Sequence, residues 1–312
     1  MTIDVVRSGQ ALAKPPGLAK PLALAKPVLA KRVLAKLRPR ARTRSRLDSA
    51  AGHLVMVLLS IFCLFPVYWM VVTSLRPANA TFETSLWPTS MSLDNYVYAL
   101  QAIPILRMLG NTLLVASVVT VIQLFTGLLA AYAFARWRFR GDKLVYSLVA
   151  LTWLVPFQVV MIPNYLLIAK MGLLDSVTAL ILPHFASALA ILLLAQSMRS
   201  FPREVIEAAR MDGARSWRIL WEVMMPNLRG TIASLAILIF ISTWNEYFWP
   251  LLLSRTPENS VVQIGIQMFM TTEGTAWGPL MAASTMASLP ILFIYVVLQR
   301  QVIQSFMKSG IR

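Results

Sequence analysis

Six long apolar stretches constrain this chain more than any other feature. About 20 consecutive apolar residues in a helix span a hydrocarbon core roughly 30 Å thick. Charged residues make up only 13% of the 312 residues, whereas a soluble domain carries about 25%. The sequence therefore predicts an all-α integral membrane protein with six transmembrane helices. Their predicted positions are 52–75, 111–135, 144–168, 177–198, 231–253 and 278–299.

Three prolines are expected to interrupt two adjacent predicted spans. Pro156 and Pro163 interrupt the third span, and Pro183 interrupts the fourth. Membrane helices tolerate proline where neighbouring helices satisfy the backbone groups that it frees. The pattern predicts kinked helices, either around a cavity or simply in helix packing.

The distribution of lysine and arginine predicts the orientation. Of 29 such residues, 25 lie in the N-terminal tail, in the loops after spans two and four, and at the C-terminus. Because lysine and arginine are retained in the cytoplasm, both termini are expected there. The net charge of +16 then indicates a membrane lipid surface as partner, and no nucleic acid. The four lysines and arginines in the loops on the other side are Arg76, Arg107, Lys170 and Arg255.

Residues 1–50 differ in composition from the rest. The unit Leu-Ala-Lys recurs there, often followed by proline, and a recurring proline removes helical hydrogen bonds. We predict a disordered basic cytoplasmic tail over 1–50 and a transmembrane domain over 51–312. The tail either adheres to anionic lipid head groups or acts only as a topology signal.

Several classes of site are excluded. Cys63 is the single cysteine, so no disulfide framework or cysteine-based zinc site can form. Two histidines and 13 scattered carboxylates predict no metal site. No G-x-x-x-x-G-K-[ST] stretch is present, so the chain cannot bind ATP through a P-loop. We expect a protein that is not an enzyme and binds no cofactor itself.

The loop after span four, about 199–229, is the most informative segment. Pro202 and Glu204 suit the first turn of a helix, and Gly213 suits a left-handed cap. These signals predict a helix over 203–211. A second short helix follows Ser216, and Pro226 is expected to stop it. The loop should fold as a helix–turn–helix on the membrane surface, a form suited to insertion into a partner's groove.

This loop resembles the permease subunits of bacterial ABC importers. Their signature is Glu-Ala-Ala, three residues, Gly, nine residues, then Ile-x-Leu-Pro. This chain has Val and Met in place of the Ile and Leu. The resemblance implies an ABC importer type I permease fold in the bacterial inner membrane, with a coupling loop that docks onto a separate ATPase subunit. The ATPase-coupling residues that it implies are Glu207, Ala208, Ala209, Gly213 and Pro226.

Two further segments narrow the resemblance to carbohydrate-uptake permeases similar to the second permease of the maltose system. They are Phe-Pro-Val-Tyr-Trp at 65–69 and Thr-Trp-Asn-Glu-Tyr-Phe-Trp-Pro at 243–250. Such relatives import oligosaccharides, glycerol phosphates or glycerol phosphate diesters. The resemblance implies a heterodimer with a second permease, an ATPase dimer that binds ATP and Mg, and an extracytoplasmic solute-binding protein. The outer loop 255–277 would reach that binding protein, unless it is a plain connector.

Polar and aromatic side chains occur together in the fifth span. An intramembrane carboxylate is expensive and indicates function by default, and aromatic rings beside polar groups suit a sugar. The alternatives are helix–helix packing or an interfacial aromatic belt. The candidates for the substrate path are Trp244, Asn245, Glu246, Tyr247 and, in span three, Gln158. His184 in span four is a weaker one.

A secondary, ion-coupled transporter is the alternative function. It would usually show internal repeats and more intramembrane charge, and the sequence has neither. The predicted coupling loop would also have no role in a transporter powered by an ion gradient.

Overall fold

The computed structural model describes residues 46–310 except 82, 84, 89, 272 and 273. Short 3-10 turns cover Ala78–Ala80, Leu182–His184 and Pro257–Asn259, and a π-helical turn covers Ile219–Met224. Strands β1 (Met270–Thr271) and β2 (Gly274–Thr275) pair antiparallel. The α-helices are α1 Arg46–Ser74, α2 Asp94–Ala102, α3 Ile105–Arg136, α4 Asp142–Leu154, α5 Phe157–Lys170, α6 Val177–Ile181, α7 Ala188–Arg199, α8 Arg203–Met211, α9 Ser216–Arg218, α10 Met225–Asn227, α11 Arg229–Trp244, α12 Phe248–Leu253, α13 Val262–Gln267 and α14 Trp277–Gly310.

The chain divides into two compact units, residues 1–61 and 62–312. In the first unit the described residues, 46–61, form the beginning of α1. The predicted tail over 1–50 lies outside the described residues, apart from 46–50, which already belong to that helix.

Three unbroken helices are long and apolar enough to cross a membrane: Gly52–Ser74, Ile105–Arg136 and Trp277–Val297. Three bent helix pairs also qualify if each pair is one span. The described part of the chain then has up to six spans, the number predicted. The bent pairs are Asp142–Leu154 with Phe157–Lys170 at 96°, Val177–His184 with Ala188–Arg199 at 43°, and Ser216–Asn227 with Arg229–Trp244 at 81°.

Two of the three prolines accompany the predicted interruptions. Val155, between α4 and α5, is extended, with a ψ of 117°, because the residue before a proline is pushed out of the helical region. Pro183 lies in the 3-10 turn that ends the first half of span four. Pro163 behaves differently, because it lies inside α5 without ending it.

The fifth span, predicted as one helix over 231–253, is broken. Helix α11 ends at Trp244 and α12 begins at Phe248. Asn245 and Glu246 therefore lie in a helix break and not, as predicted, within a helix. The reason is local competition for backbone hydrogen bonds, since the Glu246 carboxylate accepts one from the Trp249 N–H at 3.3 Å.

The prediction that Pro226 stops a helix is also wrong. The helical chain continues to Asn227, with Pro226 in the first turn of α10, and it bends only at Leu228. The π-turn Ile219–Met224 precedes this proline. A π-turn has already replaced the i→i−4 bonds that a proline would break, so the backbone accommodates the ring.

Helix α3 lies at the centre of the second unit and packs against α7 and α11. Gly127 is at its contact with α7, where an added Cβ would come within 3.2 Å of the Ala190 Cβ. Small residues at such contacts let membrane helices approach closely. This packing brings the loop after α3 beside the loop after α7.

A buried polar cluster lies at the end of α1. Arg76, predicted in an outer loop, is fully buried, and its guanidinium donates to the backbone carbonyls of Glu83 and Ser85. The Asn95 side-chain amide donates to the carbonyls of Ser74 at 3.0 Å and Arg76 at 2.7 Å. These bonds offset the cost of burying the polar groups and attach α2 to α1.

We predict that Gly278→Ala destabilises the protein. A Cβ at this position would lie 2.4 Å from the Asn95 Oδ1, and the two bonds of the Asn95 amide oppose its displacement. Overpacking of this kind costs about 1–3 kcal/mol. Thermal unfolding in detergent should show a lower midpoint. Gly110→Ala is the matched control, because nothing lies within 4 Å of its Cβ, and an unchanged midpoint for Gly278→Ala would contradict the prediction.

Candidate functional site

Helix α8 occupies the predicted range 203–211. Its C-terminus has a left-handed glycine, since the φ of Gly213 is +79°. The Gly213 N–H donates to the Arg210 carbonyl at 2.9 Å, and the Ala214 N–H donates to the Ala209 carbonyl at 2.9 Å. These two bonds form a Schellman cap, so the predicted turn at Gly213 is confirmed.

Helix α8 has one face anchored and one face open. Ile206 is buried, and Ala209 packs against the main apolar core. Glu204, Ala208 and Met211 recur at helical spacing on the other side, and all three are exposed. The Met211 side chain is 90% exposed. The open face is therefore apolar in part and available to a partner.

Glu207 is exposed as well and lies beside that open face. It lines a cavity of about 230 Å³ together with four arginines, yet within the described residues no ion pair involves it. Its surroundings are therefore basic groups of its own chain. The arginines are Arg136, Arg138, Arg203 and Arg210.

A second cavity, of about 190 Å³, lies between spans two, four and five. Apolar side chains such as Leu180 and Ile239 form part of its wall. A pocket that combines apolar walls with a few convergent polar groups is the usual form of a small-molecule site. The polar lining residues are Thr112, Gln123, His184, Ser187, Ser242, Thr243 and Glu246.

The helix break in span four supplies one wall of this cavity. The Gln123 amide donates to the His184 carbonyl at 2.9 Å, and the Thr126 hydroxyl donates to the Phe185 carbonyl at 2.9 Å. Side chains of α3 thus satisfy backbone groups that the break leaves free, as an apolar environment requires. Ser187 caps α7 by accepting from the Ala190 N–H at 3.3 Å.

Of the five predicted path residues, only Glu246 lines the cavity. Trp244 is fully buried and stacks on Phe240, with ring centroids 5.7 Å apart. The exposed Asn245 donates back to the Ile241 carbonyl at 2.8 Å. Tyr247 packs on Phe248, and Gln158 is exposed. Neither residue lines the cavity, and their roles in transport stay predictions.

Sequence reasoning placed His184 among the weaker candidates and missed several polar residues of the cavity. Gln123 is the clearest of them, because it is a polar residue inside an apolar run and is buried. A polar residue inside a predicted membrane span was therefore a signal that could have identified Gln123. Ser187 and Thr243 carried no such signal, since small hydroxyl side chains are common in membrane helices.

Comparison with known proteins decides the family. Residues 123–308 match the model of the family described as the binding-protein-dependent transport system inner membrane component. The chain belongs to this family. It is therefore an inner-membrane transport component, which supports the expectation that it is not an enzyme.

Individual relatives of this permease are sugar and glycerol-phosphate permeases by name. The lactose transport system permease protein LacG of Rhizobium radiobacter is 28% identical and covers 85% of this chain and 97% of its own. The sn-glycerol-3-phosphate transport system permease protein UgpE of Yersinia pestis is 30% identical, and the match covers 82% of this chain and 95% of UgpE. These matches confirm the predicted resemblance to carbohydrate-uptake permeases.

A solved structure confirms the fold. The permease superimposes on a chain of a bacterial ABC transporter that imports the acidic polysaccharide alginate, with a TM-score of 0.72 and 25% identity. The match covers 84% of this chain and 99% of the other. The six-span ABC importer permease fold expected from the sequence is therefore the fold of this protein.

The loops opposite the coupling loop are joined at Asp175. Its carboxylate accepts from the backbone N–H groups of Arg255 at 2.8 Å and Thr256 at 3.0 Å, and from the Thr256 hydroxyl at 2.8 Å. The φ of Asp175 is +58°, a left-handed conformation that aspartate tolerates better than most residues. This link ties the loop after span three to the loop after α12.

The same hydrogen bonds lower the pKa of Asp175 to about 2, with the Thr256 N–H contributing most. Because the pKa in an unfolded chain is about 3.9, the charged link stabilises the fold above pH 4, and this stabilisation is lost as the pH falls toward 2. We predict that Asp175→Asn lowers stability at pH 7 by about 1 kcal/mol or less, since the group is exposed to solvent.

Thermal unfolding of both proteins between pH 7 and pH 3 tests this. The difference between the wild type and Asp175→Asn should shrink in the most acidic samples. Asparagine also tolerates the left-handed backbone, so the comparison isolates the charge. A difference that is constant over the whole pH range would contradict the assignment.

The outer loop 255–277 contains regular structure, and its contact with a binding protein stays a prediction. It contains a 3-10 turn, α13 and the β1–β2 pair. The Asn111 amide donates to the carbonyls of Glu258 and Ser260 at 2.9 Å each, and the Val262 N–H donates to the Thr112 hydroxyl at 2.9 Å. The loop is thus held on the end of α3, beside the cavity that Thr112 lines.

Proposed function

We propose that this permease forms half of the translocation path of an ATP-driven importer for a sugar or sugar-like solute. Its relatives LacG and UgpE are permeases of lactose and sn-glycerol-3-phosphate transport systems. An oligosaccharide, a glycerol phosphate or a glycerol phosphate diester is the expected solute class. The partner permease forms the other half.

The observation that carries the proposal is the exposed, rigidly capped helix α8. It ends in a Schellman cap at Gly213, and its open face presents Ala208 and Met211. Trp217, 61% exposed, extends the apolar surface into α9. A short helix with small and apolar residues outward suits a groove in a partner. We assign that groove to the ATPase subunit.

The orientation follows from charge. Lysine and arginine favour the cytoplasmic side, and 25 of 29 lie on the side of the coupling loop and the termini. Both termini are therefore proposed to be cytoplasmic. The loops joined by Asp175 then lie outside, where the loop 255–277 is proposed to meet the solute-binding protein.

The proposed partners supply the chemistry that this chain lacks. An ATPase dimer binds ATP and Mg, and no cofactor binds to the permease itself. Closure of the ATPases on ATP pulls α8 and the corresponding helix of the second permease, which opens the path outward. The cavity lined by Gln123, His184 and Glu246 is the proposed part of that path in this chain.

Co-purification tests the proposal. The chain, tagged at its C-terminus and extracted gently from its native membrane, should bring a second six-span permease and an ATPase with a P-loop, both identified by mass spectrometry. An accompanying binding protein would then identify the solute by ligand screening. Purification of the chain alone, or as a homodimer without an ATPase, under conditions that preserve other importer complexes would contradict the proposal and favour an ion-coupled transporter.

A further inference from the structure

Six basic side chains converge where the loop after α3 meets α7 and α8. They line two adjoining cavities of about 230 and 570 Å³, which share Arg136, Arg138 and Arg203. The only acidic lining residues are Asp142 and Glu207. We call this region the basic cleft, and its basic residues are Arg136, Arg138, Lys143, Arg199, Arg203 and Arg210.

Two of these arginines are fixed in place. The Arg136 Nη2 donates to the Met198 carbonyl at 2.9 Å, while its Nε is buried without a hydrogen-bond partner. The Arg199 guanidinium lies 4.3 Å from the ring centroid of Tyr146. These contacts hold the two cations at the ends of α3 and α7, so the cleft does not depend on freely moving side chains.

The charges of the cleft are poorly compensated within the chain. Among the described residues, Arg138 is the one basic residue of the cleft with an ion pair, 3.9 Å from Asp142. Within the described residues Lys143, Arg203 and Arg210 have no ion pair. Like charges held together repel one another. An anion with several oxygens would relieve that repulsion, and arginine forks bind phosphate in particular.

An apolar track leads away from the cleft along α4. Ser147 lines the cleft, and Leu144 and Leu151 lie on its helix face at i−3 and i+4. These leucines are 65% and 55% exposed, and no residue of α4 is buried. Because α4 belongs to a membrane span, acyl chains of the bilayer reach this track, so an anion in the cleft can be the head group of a phospholipid whose chains lie along it.

We propose that the basic cleft binds the phosphate of an anionic phospholipid, whose acyl chains lie along Leu144 and Leu151. Basic pockets between membrane helices on the cytoplasmic side bind such head groups, so the proposal rests on the orientation proposed above. Because Arg203 and Arg210 belong to α8, a bound lipid ties the coupling helix to the ends of α3 and α7.

Lipid retention tests the proposal without any transport assay. The full-length protein, purified with the subunits that accompany it, is equilibrated with equal amounts of phosphatidylglycerol and phosphatidylcholine, and native mass spectrometry then counts the lipids retained. We expect phosphatidylglycerol to be retained in preference. Arg138→Gln with Lys143→Gln should reduce its retention about tenfold or more. Arg203→Gln, on a different element, should reduce it in the same direction.

Arg140→Gln with Arg229→Gln is the matched control, because it removes two exposed charges on the same side that line neither cavity. Equal retention of the two lipids, or equal losses in the cleft and control variants, would overturn the proposal. Binding of inorganic phosphate without lipid retention would overturn the lipid assignment. The amount of co-purified ATPase, measured in the same samples, reports separately on the proposed importer function.

Discussion

Replacing Gly213 by valine is expected to reduce the ATPase that co-purifies with the permease by about tenfold. The φ of Gly213 is +79°, and a left-handed backbone costs a residue with a Cβ about 1–2 kcal/mol. That energy corresponds to roughly a tenfold shift in the equilibrium between the native turn and other conformations. The turn sets the direction of α8 relative to α9, so its loss misplaces the open face of the coupling helix. Quantitative mass spectrometry of ATPase per permease measures the effect.

Two controls separate a coupling defect from general damage. Gly172→Val meets the same backbone cost at a φ of +70° with nothing within 4 Å of its Cβ, but it lies in the loop on the opposite side. It should leave ATPase retention unchanged. Gly213→Asn should retain most of the ATPase, because asparagine tolerates the left-handed region. Loss of ATPase in Gly172→Val, or its full retention in Gly213→Val, would refute the proposed role of the turn.

The coupling loop shows where sequence reasoning succeeds. The bounds of α8 were predicted from Pro202 at its start and Gly213 after its end, and the structure confirms them. Both signals act through local backbone geometry, which does not depend on the rest of the fold. The prediction for Pro226 was wrong because the π-turn Ile219–Met224 accommodates this proline. No local sequence pattern indicates such a π-turn.

The broken fifth span shows where such reasoning ends. Most of residues 231–253 are apolar, and mean hydropathy alone cannot place a break in such a segment. At the break, the Glu246 carboxylate accepts a hydrogen bond from the first turn of α12. Trp244 was a candidate for the substrate path, with helix packing as the alternative, and it packs in the core with Phe240.

Likewise, nothing in the sequence indicates that distant basic residues come together in the fold. In the sequence Arg136, Arg203 and Arg210 are merely cytoplasmic charges that set topology. They meet only because α3 packs against α7, through contacts such as that of Gly127 with Ala190. The sequences of α3 and α7 do not indicate that these two helices pack together, so the basic cleft could be found only in the folded chain.

Removing the carboxylate of Glu246 is expected to reduce solute uptake by about tenfold or more. The side chain lines the cavity with His184 and Gln123, and a hydrogen bond to a charged group contributes about 1.5–3 kcal/mol, which corresponds to a factor of ten or more. A charged group in a membrane span is costly and is usually kept for function. Glu246→Ala should show the loss in uptake of the solute that the co-purified binding protein retains.

Glu246→Gln separates a role in the solute path from a role in the helix break. Glutamine keeps an oxygen that can accept from the Trp249 N–H, so α12 should keep its cap and the variant its thermal stability and its ATPase. Its uptake should nevertheless fall several-fold, because the charge facing the cavity is gone. If Glu246→Gln kept wild-type uptake while Glu246→Ala lost it, Glu246 would only cap α12. Asp94→Ala, which removes an exposed carboxylate outside both the cavity and the loop 255–277, should transport normally and sets the scale for both.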